Sequence, residues 1–294
     1  KYFVYNNAGQ LIETTDPLNQ KAYYFYDTVG QKIGEITPDP DGNGPLPRLA
    51  TRITYNNDGQ ETKLETGTAN GTAKTDFEAM SVTSLVDTEY DSLGRKIKDT
   101  KLANNTVYGI TQYSYDAWNR LICTAVRMNF ESIPEDACQL GALGIFGYDR
   151  ITKNEYNDAG ELKKVYRAYG TSLQQVYAEY EYSTNGKQTV VIDANSNKAK
   201  LVFDGYDRQT HWYFPSKTKS DLNHSTTDYE QNGYDSNDKR SSFRRRNGAT
   251  LSYSFDNLDR VTSIIIPERT GLESTHTEDI YYEYDSRGLM TGAR

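Results

Sequence analysis

Hydrophobic and polar positions alternate along this chain in short runs, each closed by turn-forming residues. Rings two residues apart share one face of a strand: Tyr24 with Tyr26, Tyr113 with Tyr115, Tyr180 with Tyr182, Tyr253 with Phe255, Tyr282 with Tyr284. The positions between or beside them, Glu89, Ser114, Glu155, Glu181, Ser254 and Glu283, are polar. This period of two predicts strands of an antiparallel sheet with an aromatic face and a wet one.

The runs end in a repeated motif. Eleven copies begin at Tyr5, Tyr26, Tyr55, Tyr90, Tyr115, Tyr156, Tyr182, Phe203, Tyr234, Phe255 and Tyr284. The ring is followed by Asp, Asn or Ser, residues that accept hydrogen bonds from backbone amides just ahead and so start turns. Four residues after the ring stands Gly, Asn or Asp, the types that tolerate a left-handed backbone. An acid or amide followed three residues later by a left-handed residue is the chemistry of a hairpin loop built on a type I turn. The clearest units carry Tyr26, Asp27 and Gly30; Tyr90, Asp91 and Gly94; Tyr115 and Asp116; and Tyr284, Asp285 and Gly288. Each predicts strand, turn, strand.

Three intervals between motifs are 21 residues, room for two strands and two tight connections. The others are lengthened by insertions near 38–49, 67–85 and 127–150, which read as loops projecting from a regular strip. No shift of composition marks a boundary, so residues 1–294 are expected to form a single array of tandem antiparallel hairpins, an all-β fold. A hairpin ribbon cut at both ends presents unpaired edges, which predicts marginal stability for the piece alone.

Composition narrows the function. A net charge of -8 argues against a nucleic-acid partner, which normally meets a basic face. No run approaches the roughly 18 apolar residues of a membrane span, and Lys1 opens without a signal-peptide pattern. Of the aromatic residues 25 are Tyr, 9 Phe and 2 Trp, a bias toward rings that favour strands and carry a hydroxyl needing a partner.

Units such as YDSLGRKIKDT, YDTVGQKIGEI and YDSRGLMTGAR resemble the YD repeats of the RHS family, which includes bacterial polymorphic toxins, Tc-toxin B and C components and the teneurins. The resemblance covers nearly the whole chain. It implies a curved hairpin ribbon, a segment of a hollow shell that encloses and protects a toxin or effector polypeptide. It further implies partners in the remainder of the parent RHS protein and an enclosed C-terminal toxin domain, and a secreted or cell-surface location. The family's core-associated cleavage segment does not follow Tyr284, so the chain reads as a middle section.

Candidate chemistry is sparse. The motif carboxylates read as turn caps rather than acid–base pairs. His211, His224 and His276 show no metal-ligand spacing with one another or with cysteine, so neither a metal nor a catalytic residue is assigned and no cofactor is expected. Cys123 and Cys138 flank the third insertion; a bridge would close about 15 residues and stabilise by roughly 3 kcal/mol, and two free buried thiols fit the same pattern. The run FRRRN from Phe243 to Asn247 reads as a solvated strand face paired with neighbouring acids. No P-loop and no GxSxG elbow is present. Beside the structural wall, one alternative remains: a cell-surface module binding carbohydrate or protein, in which exposed tyrosines with Trp118 and Trp212 stack on sugar rings.

Overall fold

A computed structural model describes residues 1–42, 44–218, 222–268, 271 and 278–294. His276 lies outside the described residues. Packing divides the chain into two compact units, one of Lys1–Lys153 with Arg167–Gln174, the other of Asn154–Tyr166 with Gln175–Arg294. Both are successions of antiparallel hairpins.

The first unit contains β1 (Tyr2–Tyr5), β2 (Leu11–Thr15), β3 (Lys21–Tyr26), β4 (Lys32–Ile36), β5 (Arg48–Tyr55) and β6 (Glu61–Ala69). After the short helix α1 (Lys74–Glu78) come β7 (Ser81–Tyr90), β8 (Lys96–Ala103), β9 (Thr106–Tyr115), β10 (Leu121–Arg127) and the start of β11 (Arg150–Tyr156). Each strand pairs antiparallel with the next in sequence. The second unit continues with β12 (Leu162–Arg167), β13 (Gln175–Tyr182), β14 (Gln188–Asp193), β15 (Lys198–Phe203), β16 (Gln209–Pro215) and β17 (His224–Tyr234). It ends with β18 (Arg240–Arg244), β19 (Thr250–Phe255), β20 (Val261–Ile265), β21 (Ile280–Tyr284) and β22 (Met290–Ala293), again paired in order from β13 onward.

Every motif folds as the same turn. At Asp27 the backbone amide donates to the Gln31 carbonyl and the Gly30 amide donates back to Asp27. The Asp27 carboxylate accepts from the amides of Val29 and Gln31 at 3.0 and 2.8 Å. Gly30 takes φ 93°, and the strand register slips by one between Phe25 and Tyr26, a bulge closed by a left-handed residue. The same backbone bonds recur at the other ten motifs. Asn119, Asp207, Asp238 and Asp259 fill the left-handed position with φ of 63–67°.

Three further turns of this kind start at Asp16, Asp193 and Arg245, where no ring precedes them. They close the opposite ends of hairpins, and so explain the 21-residue spacing: two strands with the same turn at each end. Between β8 and β9 the connection is tighter, with Asn104 and Asn105 both at positive φ, as a two-residue loop requires.

Two insertions depart from the projecting loops expected of them. Residues 67–85 prolong β6, form α1 and begin β7. Phe77 of α1 is 1% exposed and packs with Ile36, Ala50, Ala69 and Met80, its ring stacked 4.3 Å from Phe25. A helical turn places Phe77 and Met80 on one side, and burying that side outweighs the polar residues around it. Gly34 makes the approach possible, because a Cβ there would stand 2.6 Å from the Phe77 ring and 2.1 Å from the Thr51 carbonyl oxygen. Residues 128–149 likewise fold back, burying Ala137 against Cys123, Ala125 and Ile151. Both covers lie on the strand face opposite the motif tyrosines, which in β9 is the face of Gln112 and Ser114 expected to be wet. Ser114 instead donates to Asp136 at 2.6 Å and Gln112 to the Pro134 carbonyl at 3.0 Å.

Candidate functional site

The motif residues do not converge on a catalytic centre; they build a ladder along successive turns. The hydroxyl of Tyr26 donates to the Leu11 carbonyl at 2.9 Å, Tyr55 to Lys32, Tyr90 to Glu61 and Tyr115 to Lys96. Tyr182 donates to Leu162, Tyr234 to Gln209 and Tyr284 to Val261. In every case the acceptor is the residue six after the ring of the preceding motif. That carbonyl lies at the bulge, where the strand register slips by one residue. The phenol supplies it with a hydrogen bond.

A second contact runs the other way. In six motifs the side chain five after the ring reaches forward to the left-handed residue of the next turn. Where that residue is glycine, a glutamine amide serves: Gln10 donates to the Gly30 carbonyl at 3.2 Å and Gln60 to Gly94 at 2.7 Å. Where it is Asn119, Arg95 donates to its side-chain oxygen at 2.8 Å. Where it is aspartate a cation answers it: Lys187 faces Asp207, Arg208 faces Asp238 at 2.5 Å, and Lys239 pairs with Asp259. The arginines also lie over the next ring, Arg95 on Tyr115, Arg208 on Tyr234 and Arg260 on Tyr284, 4.5–4.8 Å from the centroids.

These contacts set the electrostatics of the turns. The backbone amide of Arg95, with its guanidinium, holds the Asp91 carboxyl below the usual range. At Asp116 burial pushes the other way, but the Arg120 amide and guanidinium outweigh it. The Leu289 amide leads the same lowering at Asp285, and the Arg260 guanidinium at Asp256. On the tyrosine face, burial and the neighbouring Asp99 push Tyr113 up to about 12; its hydroxyl donates to Asp99, which also accepts from Thr88 and Lys96.

Cys123 and Cys138 are joined in a disulfide that fastens the third insertion to β10. Beside it stands a group that sequence reasoning did not single out. Arg127, 1% exposed, donates to the Asp149 carboxylate at 2.7 Å, to Gln112, and to the carbonyls of Gln139 and Asp136. Asp149 also accepts from the amides of Met128 and Gly141, so this buried pair is fully satisfied. Its sequence signal was only that two charged residues bounded an insertion.

Trp118 belongs to the first unit, at a turn tip, 76% exposed and under the Arg120 guanidinium. Trp212 belongs to the second, 40% exposed and stacked 4.9 Å from Phe214, over which Arg246 lies. The basic run is largely occupied: Arg244 donates to the Tyr229 carbonyl, and Arg246 grips Asp228 with two bonds. Among the described residues, no three His, Cys, Asp or Glu side chains are placed to hold a metal ion, and no helix is long and apolar enough to cross a membrane.

No family model and no curated protein matches the chain. Solved structures do. The chain aligns with TcdB2-TccC3 without its hypervariable C-terminal region at 14% identity and TM-score 0.46, over 99% of this chain and 12% of that one. It aligns with the Photorhabdus luminescens Tc holotoxin pore at 14% identity and TM-score 0.36, over 99% of this chain and 17% of that one. With TcdB2-TccC3 the identity is 11% and the TM-score 0.32, over 98% of this chain and 17% of the other. The chain thus spans less than a fifth of the length of these structures. Its own repeat consists of eleven ring-and-turn units in order, each closed by the same pair of backbone bonds.

Proposed function

We propose that the chain is a wall segment of an RHS/YD-repeat shell that encloses and protects a toxin or effector polypeptide before delivery. The observation that carries this reading is the rung from each tyrosine hydroxyl to the carbonyl six residues past the preceding ring, as from Tyr115 to Lys96. The acceptor is backbone, so any unit that keeps the turn can join the next whatever its outer side chains. Such an array can lengthen into a continuous barrier while its exposed residues vary. Its work in this reading is steric, and the protein is not an enzyme. The partners are the remainder of the parent protein and an enclosed C-terminal toxin domain, and the location is exported, secreted or at the cell surface, which suits the Cys123–Cys138 disulfide.

Limited proteolysis of the parent protein with mass spectrometry tests this. A segment held inside a shell resists protease until denaturant opens the wall; immediate digestion of that segment while the repeats survive overturns the reading. In that event the alternative gains, a cell-surface module for carbohydrate or protein, whose supporting observation is the half-exposed Trp212 stacked on Phe214. A glycan screen with Trp212→Ala as control then decides it.

A further inference from the structure

In the second unit, strands β15 to β18 bring three rings together on one face. Tyr213 and Tyr229 stand directly opposite each other in the ladder between β16 and β17, and His211 lies two residues from Tyr213 on the same face. Their centroids are 5.3–5.8 Å apart, and His211 is parallel to Tyr213 within 2°. Ring pairs of this kind hold the side chains in place. Two cations flank them. Lys200 is the partner of Tyr213 on β15, and Arg244 on β18 is the partner of Gln231, itself opposite His211, so both share the face of the rings. The Arg244 guanidinium lies 3.8 Å from the Tyr229 centroid. All five side chains are part-exposed.

The donors on this face are not used up. Tyrosines that begin motifs spend their hydroxyls on backbone rungs, as Tyr234 does, but those of Tyr213 and Tyr229 make no hydrogen bond among the described residues. Lys200 likewise enters no hydrogen bond or ion pair among them, and Arg244 donates only to the carbonyls of Tyr229 and Arg245. The acids stand elsewhere. Glu230 is the register partner of Trp212 and so lies, with Asp228, on the opposite face, where Arg246 grips Asp228. Glu181, reached from Lys200 through Val190, is answered by Lys198. Hydroxyl, ammonium and guanidinium groups therefore face outward together with no carboxylate to accept from them. Lys200 and Arg244 are three strand steps apart, about 14 Å, the span of about four extended residues. That separation suits carboxylates spaced along a chain better than one small anion.

We propose that this face docks an extended acidic stretch of polypeptide, its carboxylates on Lys200 and Arg244 and on the tyrosine hydroxyls between them. The site is independent of the wall function, and its test leaves that reading untouched. The chain's own net charge of -8 opposes such a peptide, so saturable binding marks a local patch and not the general field. Calorimetric titration of the folded chain with acetylated, amidated hexaglutamate at low salt measures it. The expected result is one saturable site. Lys200→Glu, which breaks no bond within the protein, weakens binding by about tenfold or more, and Tyr229→Phe, which keeps the ring, by about threefold. Lys63→Glu, an exposed position of the first unit, leaves binding unchanged. Circular dichroism verifies that each variant stays folded. Absence of saturable binding, binding that either Lys200→Glu or Tyr229→Phe leaves unchanged, or an equal loss in Lys63→Glu overturns the proposal. Tighter binding of a heparin hexasaccharide than of hexaglutamate also overturns it, by assigning the face to a sulfated glycan.

Discussion

The Tyr234 hydroxyl donates a 2.8 Å hydrogen bond to the carbonyl of Gln209, 25 residues earlier, while Arg208 beside that carbonyl reaches forward to Asp238 in the turn that Tyr234 begins. The two turns hold each other by reciprocal contacts, one to backbone and one between side chains. Neither is visible from a single motif.

The rung predicts opposite effects of a single oxygen. Tyr234→Phe removes one of the two donors to the Gln209 carbonyl, leaving the Asn232 side-chain amide, and is expected to destabilise by about 0.5–1 kcal/mol. Phe255 occupies the ring position of its own motif without a hydroxyl, so Phe255→Tyr should restore a bond toward the Arg240 carbonyl and stabilise by roughly 0.5–1 kcal/mol. Urea midpoints of both variants check this; a loss in both would mean that the ring, and not the hydroxyl, sets the contact.

Acid should weaken the turns. The carboxyls of Asp91, Asp204, Asp235, Asp256 and Asp285 are held below their ordinary value by amides and guanidinium groups. A depressed folded pKa contributes stability above the unfolded value of about 3.9, and that contribution is lost as pH falls through the folded value. Stability is thus expected to decline below about pH 4. Asn6 and Asn56 already close the same turn without a charge, so replacing these five aspartates by asparagine should preserve the fold and flatten the acid limb. An unchanged limb in denaturation measured from pH 6 to 2 would refute the assignment.

The cover of β10 depends more on Arg127 than on its disulfide. Arg127→Ala leaves Asp149 buried and unpaired and should cost about 3–5 kcal/mol. Reducing the bridge between Cys123 and Cys138, 15 residues apart, should cost roughly 3 kcal/mol, with the insertion still docked through Arg127. Hydrogen exchange of the Ala137 amide, which donates to the Ser114 hydroxyl, reports docking directly.

Gly34→Ala should be as damaging as removing the ring it accommodates. Phe77→Ala loses a buried aromatic and is expected to cost about 3–5 kcal/mol. The added methyl at position 34 would collide with the Thr51 carbonyl, which is backbone and cannot step aside. Thermal unfolding of the two variants compares them; near-wild-type stability of Gly34→Ala would mean that α1 does not pack as described.

Strands and turns were legible because each depends on local chemistry: Asp27 and Gly30 specify their bulge within five residues, and the alternation of Tyr24 with Tyr26 gives the face. The turns at Asp16, Asp193 and Arg245 escaped notice because no ring marks them. The rungs were hidden because a backbone acceptor leaves no trace in the sequence. The forward contacts did leave one: Lys187, Arg208 and Lys239 each precede, by one motif, an aspartate in the left-handed position. The covers were misread as projecting loops because Phe77 and Ala137 sit among polar neighbours, and their burial depends on strands far away in sequence.

The bond from Tyr234 to Gln209 also makes the chain editable. Because each unit led by tyrosine presents the same kind of acceptor and the same donor, equivalent points in two such units are interchangeable joints. Excising the stretch from one ring to the next removes a donor together with the acceptor it would have offered onward, and the flanking units meet with matching ends. Loss or gain of whole tyrosine-led repeats therefore leaves no orphaned bond, whereas an insertion of an odd number of residues inside a strand reverses the faces beyond it. Selection acting on such a gene can change the extent of the protein in steps without designing a new joint.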